Sequence, residues 1–138
     1  MKHFERYILV LYLSFLGLYA WSQNSKIDQA RVNFIAQKLS LSPSESQKFW
    51  PFYNEYLDKM KNIRIERKKL FKEYLYTQNP SAAELFLKKY SELDAAENQI
   101  RMEYTQKFKQ LIGVVRTAHL FMAEEEFRLE LVKILKSD

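Results

Sequence analysis

Three groups of side chains in this sequence have types and spacing suited to chemistry. Met122 lies three residues and Glu126 seven residues after His119, so one face of a helix would carry an imidazole, a thioether and a carboxylate. Such a set suggests a metal sensor. One imidazole without a thiolate is a thin ligand set for zinc, copper, nickel or cobalt, however, and a lone helical histidine is more commonly a packed or surface residue. No metal and no cofactor is therefore expected. The second group, Glu124-Glu125-Glu126, is consecutive, so its members point to different sides of a helix and read as solvated. The chain has no cysteine, no glycine-rich phosphate loop and no HExxH. Nothing pairs a nucleophile with a base, and no catalytic residue and no enzymatic activity is expected.

The third group is a basic run, Lys59, Lys61, Arg64, Arg67, Lys68, Lys69 and Lys72, interrupted by a single acid, Glu66, and interleaved with Met60, Ile63, Ile65, Leu70 and Phe71. A helix that is both cationic and greasy suits loose capture of unfolded or acidic polypeptide, because charge speeds encounter and apolar contact follows. Lys61, Arg64, Ile65, Lys68, Lys69, Phe71 and Lys72 are the candidate partner-binding residues; the plainer reading is a solvated helix face above an ordinary core stripe. Arg67 stands apart. It occupies a position in the apolar stripe of its helix, so it needs a carboxylate such as Glu97 or Glu103.

The elements that carry these groups follow from composition. Only two glycines and three prolines occur in 138 residues, far fewer than sheets joined by tight turns require, so the fold is all-α. Lys2 and Arg6 precede a 15-residue apolar run from Tyr7 to Trp21, followed by small residues around Trp21. This pattern predicts a signal peptide over residues 1–22 with cleavage between Ser22 and Gln23; the run is short for a spanning helix. Residues 23–138 then form one helical domain, with Lys plus Arg reduced from 22 to 20 and Asp plus Glu from 17 to 16, a net charge of +4. That mild excess, in an exported protein, argues for no nucleic acid partner. Without cysteine there is neither a lipoprotein anchor nor a disulfide, and packing alone must hold the domain.

Periodicity places helix one over about Lys26–Leu39, with Ile27, Ala30, Phe34, Ile35 and Leu39 inward. Helix two runs from Pro43 to about Tyr76 with a stripe of Phe49, Tyr53, Tyr56, Met60, Ile63, Leu70 and Tyr74. A second capping box, Ser81 with Glu84, starts helix three from about Ala82 to Ile112, with Leu85, Leu93, Ala96, Ile100, Tyr104, Phe108 and Leu111 inward. Gly113 marks the last corner, and helix four runs from about Val115 to Lys136 with Leu120, Phe127, Leu131 and Ile134 inward. Acid-first pairs four apart, Glu55/Lys59, Glu84/Lys88, Glu103/Lys107 and Glu124/Arg128, support these helices. Helices of about 31–33 residues span about 46–50 Å, which predicts an elongated antiparallel four-helix hairpin, curved and paired as a homodimer.

The start of helix two is the densest signal. Ser42 supplies the cap oxygen, Pro43 falls at N1 where its missing donor is harmless, and Glu45 at N3 can accept from the Ser42 N–H. Pro51 lies eight residues further in and costs about 3 kcal/mol by removing an N–H and crowding the preceding turn. Burial of Phe49, Trp50, Phe52 and Tyr53 around it, worth about 1.5–3 kcal/mol for each fully covered ring, can offset that.

Leu41-Ser42-Pro43-Ser44-Glu45 resembles the LTxxQ motif of the Spy/CpxP family of periplasmic proteins, with serine in place of threonine and glutamate in place of glutamine. The extension QKFWPFYNEY and the tract LFMAEEEFRLELV from Leu120 to Val132 resemble a Bacteroidetes branch often labelled as sensors of an ECF-type sigma factor. The resemblance implies a periplasmic, often dimeric helical hairpin of the envelope stress response, binding unfolded polypeptide as a chaperone or acting on a membrane signalling partner. Ile112-Gly113-Val114-Val115-Arg116 carries no second copy of the motif.

Overall fold

The computed structural model describes residues 26–137, and their regular structure is entirely helical: α1 (26–39), α2 (Pro43–Thr77) and α3 (Pro80–Ser137). The expected export segment and its cleavage point lie outside the described residues. None of the described helices is long and apolar enough to cross a membrane.

Each junction is set by local side-chain chemistry. Ser40, in the left-handed region at φ 47°, stops α1 while its N–H donates to the Ala36 carbonyl at 3.1 Å. The extended Ser42 then caps α2. Its Oγ accepts from the Glu45 N–H at 3.3 Å, and its own N–H donates to the Glu45 carboxylate at 3.0 Å, closing the capping box that the sequence predicts. The helix continues through Pro51 and ends one residue beyond the expected Tyr76. Gln78 (φ 28°) closes it, donating its N–H to the Tyr74 carbonyl at 3.1 Å.

The start of α3 corrects the sequence reading. Asn79, not Ser81, is the cap: its Oδ1 accepts from the Ala82 N–H at 2.8 Å and Pro80 takes the first helical position. Asparagine caps as well as serine, and proline is pre-set for N1. The helix therefore begins two residues earlier than Ala82, and Ser81 and Glu84 lie inside it. At Gly113, where a corner is expected, the backbone is non-helical (φ 82°, ψ 165°) and a kink divides α3 into two helical stretches. Just past it, Arg116 Nε donates to the Ile112 carbonyl at 2.9 Å and Thr117 Oγ1 donates to the Gly113 carbonyl at 2.8 Å.

The chain divides into two compact units, one of residues 41–118 and one that includes 26–40 and 119–137. In the first, α2 and the 80–112 stretch of α3 run antiparallel: Phe49 meets Phe108, Tyr56 meets Tyr104, Arg67 meets Asp94 and Glu97, and Tyr74 meets Phe86. Its centre is aromatic. Phe49, Tyr53, Tyr104 and Phe108 are fully buried, with ring centroids 5.5 Å apart for Phe49 and Phe108 and 5.7 Å for Tyr56 and Phe108. Trp50 is half-buried against Phe49 and Tyr53, but Phe52, expected to be buried with them, is exposed with Lys107 over its ring. The cost of Pro51 is thus offset by the core that flanks it.

Most of the expected stripes face inward, with four exceptions, of which Ile27 and Ala30 lie exposed near the start of α1. Leu85 is exposed and Phe86 takes its place, stacking on Tyr74 at 4.9 Å; Ile134 is also exposed. Two of the four predicted acid-first pairs close, Glu55/Lys59 at 3.6 Å and Glu103/Lys107 at 2.7 Å, while Arg128 pairs with Glu125.

In the second unit Ile35, Leu39, Leu120, Ala123 and Phe127 are buried, and Phe34 packs on Phe127 at 5.7 Å. Glu124 corrects the solvated reading of the acidic run. It is half-buried near Arg31 at 3.8 Å, and burial pushes its carboxyl up.

One long-range pair ties the cap of α2 to α3. Arg116 Nη1 donates to Glu45 at 2.9 Å, and Nη2 pairs with the other carboxylate oxygen. Arg116, and after it the Ser42 N–H, holds the Glu45 carboxyl down from 4.5 to about 2. A depressed carboxylate contributes stability that is present above its ordinary value and lost as pH falls toward the lowered one. Glu45→Gln keeps an N3 side chain able to close the capping box but removes the charge facing Arg116. We expect it to lower the melting temperature at pH 7 and to flatten the acid loss between pH 4.5 and 2. Thermal melts across that window check this; parallel acid profiles for the two proteins would show that the pair carries none of the acid sensitivity.

Candidate functional site

The cations of α2 fall into two sets once the helix is packed. Positions 56, 60, 63, 67, 70 and 74 turn toward α3 and are buried or half-buried. On the opposite side, 61, 65, 68 and 72 follow steps of four, three and four along one line, with 64 and 71 flanking it on one side and 69 on the other. All seven candidate residues, Lys61, Arg64, Ile65, Lys68, Lys69, Phe71 and Lys72, are exposed.

Pairing follows the same division. Arg67, on the inner side, is held by Asp94 and Glu97, each at 2.7 Å, and lies 5.8 Å above the Tyr90 ring. Glu97 is one of the two acids the sequence nominates for it; Asp94 is an additional partner. The guanidinium holds the Glu97 carboxyl below its ordinary value, with Arg101 assisting at 3.0 Å, and the carboxylate in turn raises Arg67. Lys59 also leaves the free set: it is half-buried, pairs with Glu55 and lies 5.3 Å over the Tyr104 ring. Among the described residues, by contrast, Lys61, Arg64, Lys68, Lys69 and Lys72 form no ion pair. Their charge is directed to solvent.

The outer face is not uniform. Lys61, Ile65, Lys68 and Lys72 form its axis. Phe71 leans off that line onto Phe86 at 5.4 Å and Tyr90 at 6.0 Å, half covering itself. Lys69 turns the other way, into an open surface groove of about 290 Å³ lined also by Glu66, Leu70, Glu73, Lys89, Glu92 and Leu93. Lysines and glutamates are mixed there, so the groove has no single sign of charge to offer a ligand.

The motif residues at the start of α2 have structural roles. Ser42, Pro43 and Glu45 form the cap, Leu41 is half-buried, and Phe49, Tyr53 and Tyr56 are core around the exposed Pro51. Two further clusters bear on chemistry. The Tyr104 hydroxyl is buried and faces the Glu55 carboxylate without closing a short hydrogen bond, while Lys107 lies 4.4 Å over its ring. Burial, and then Glu55, push that hydroxyl up to about 12, the direction opposite to what a base or nucleophile needs. His119 and Met122 are exposed, and Glu126 is engaged by Lys38 at 2.5 Å. The described residues contain no group of three His, Cys, Asp or Glu able to hold a metal ion.

Sequence reasoning misses one feature of this unit. Leu75, Tyr76, Leu85 and Leu87 are exposed where α2 hands over to α3. The signal is present in the chain, because Tyr74-Leu75-Tyr76 and Leu85-Phe86-Leu87 are apolar triplets. Consecutive helical residues diverge by about 100°, so one partner helix cannot cover all three. No family model, curated protein or solved structure matches the chain.

Proposed function

We propose that this is a non-enzymatic helical binding protein of the Spy/CpxP type, exported to the bacterial envelope, that captures unfolded or acidic polypeptide on the outer face of α2. The observation that carries the reading is the separation of charge on that helix. Arg67 and Lys59 are neutralised by carboxylates in the packed unit, while five cations around Ile65 and Phe71 remain unpaired. Cations left without internal partners contribute nothing to the fold that pairing would supply, but they raise the local concentration of anionic chain segments and speed encounter. Apolar side chains between them then provide contact without demanding a fixed sequence, which suits a client that has no fold of its own.

The purified protein is expected to slow aggregation of a chemically denatured client. Arg64→Glu, Lys68→Glu and Lys72→Glu combined reverse the sign of the face, and the protective rate effect should fall on the order of tenfold. Helical circular dichroism should be unchanged, because all three residues are exposed and outside the ion-pair network. The protection should also weaken as ionic strength rises past the point where the Debye length drops below about 8 Å. Equal protection by the reversed variant, or none by the native chain in excess, removes this reading.

A further inference from the structure

Six of the eleven exposed large apolar side chains of the 41–118 unit gather at one end. Phe71, Leu75, Tyr76, Leu85, Leu87 and Tyr90 are all exposed, from 36% for Tyr90 to 81% for Tyr76. The other five are spread over the rest of the unit as Phe52, Ile65, Met102 and the adjacent Val114 and Val115. Ring contacts join the two helices here. Phe86 forms the underside of the patch, in ring contact with Phe71, Tyr74 and Tyr90 at 5.4, 4.9 and 5.9 Å. A patch of this kind, gathered at the junction of two helices, marks an interaction site rather than scattered surface residues.

Its charge identifies the partner. Residues 68–90 hold Lys68, Lys69, Lys72, Lys88 and Lys89 against Glu73 and Glu84, an excess of three positive charges around the apolar tips. A second copy of this chain would bring the same excess against itself. An anionic lipid surface complements both properties: leucine tips enter the acyl boundary, tyrosine rings sit at headgroup level, and lysine stems reach back to phosphates. We propose that the α2–α3 end docks on an anionic lipid surface, with Leu75, Tyr76 and Leu87 entering the interfacial layer and Lys72, Lys88 and Lys89 meeting headgroups.

The absence of cysteine from the chain makes a site-specific test direct. Full-length Tyr76→Cys, Leu87→Cys and Asn54→Cys are each labelled with the environment-sensitive fluorophore NBD; Asn54 is exposed and lies about 33 Å along α2 from Tyr76. The labelled chains are mixed with phosphatidylcholine vesicles with and without phosphatidylglycerol. The expected result is a blue shift and a several-fold rise in emission at 76 and 87, none at 54, and only on anionic vesicles. Adding Lys88→Glu and Lys89→Glu should weaken vesicle affinity by on the order of tenfold or more.

No change at 76 and 87 overturns the proposal. An equal change at 54 does so too, because it would place contact elsewhere on the chain, and so does an equal response to neutral vesicles. A shift that grows with protein concentration without lipid would assign the end to a second copy instead, and a shift produced by denatured polypeptide but not by vesicles would assign it to a client. Lys88 and Lys89 lie outside the face tested by client aggregation, so this proposal and the proposed function can fail separately.

Discussion

Replacing Phe108 by alanine is expected to destabilise the chain by about 3–5 kcal/mol, measured by urea unfolding followed by circular dichroism. The ring is fully buried and touches Phe49, Tyr53, Tyr56 and Tyr104. Because it contacts all four, truncation leaves a void bordered on several sides by rigid aromatic planes that cannot collapse into it. Lost transfer energy and an unfilled cavity therefore add. Leu85→Ala is the matched control: although the sequence pattern also places Leu85 inward, it is 53% exposed, and its loss should stay within about 0.5 kcal/mol, as for most surface substitutions. Equal effects at the two positions would mean that the aromatic cluster is not the core of the unit.

Gly113→Ala has the second large expected effect, and its sign is decisive. At φ 82° and ψ 165° the backbone lies in a region that only glycine occupies at ease, and an added Cβ would meet nothing within 4 Å. The penalty is thus conformational rather than steric, about 1–3 kcal/mol if the break is kept. If instead residue 113 were helical in solution, alanine would stabilise by about 1 kcal/mol, because it is the better helix former. Chemical unfolding separates the two outcomes. A gain in stability would overturn the break at Gly113.

How much of this could be read from the chain depends on the range of the interaction. The start of α2 is legible because Ser42, Pro43 and Glu45 act on one another within one turn, and composition alone leaves room for nothing but helices. Arg67 is legible as a misfit in an apolar stripe, and a misfit of that kind demands an acid from the facing helix. Asn79 is a different case: two cap-capable residues flank Pro80, and the preference of proline for N1 decides between them. Leu85 and Phe86 differ by one step on a helix whose two candidate stripes both fit the period, so only packing against Phe71 and Tyr74 selects the ring. Glu45 and Arg116 are 71 residues apart, and their meeting depends on the antiparallel register that local spacing does not encode. The basic run is visible as a pattern, yet which of its cations are spent on internal carboxylates follows only from the facing helix.

That facing helix gives the Arg67 clasp a role in alignment. Two long antiparallel helices lined with interchangeable apolar side chains can slide by a turn with modest loss, since one ring or leucine replaces another in the seam. Moving α2 by four residues would withdraw the guanidinium from Asp94 and Glu97, leaving a partly buried cation and two carboxylates without each other. The penalty for misalignment is then larger than the contribution of the aligned pair. Arg67 acts as a key with one seating, so chains that close in the wrong register should reopen rather than persist.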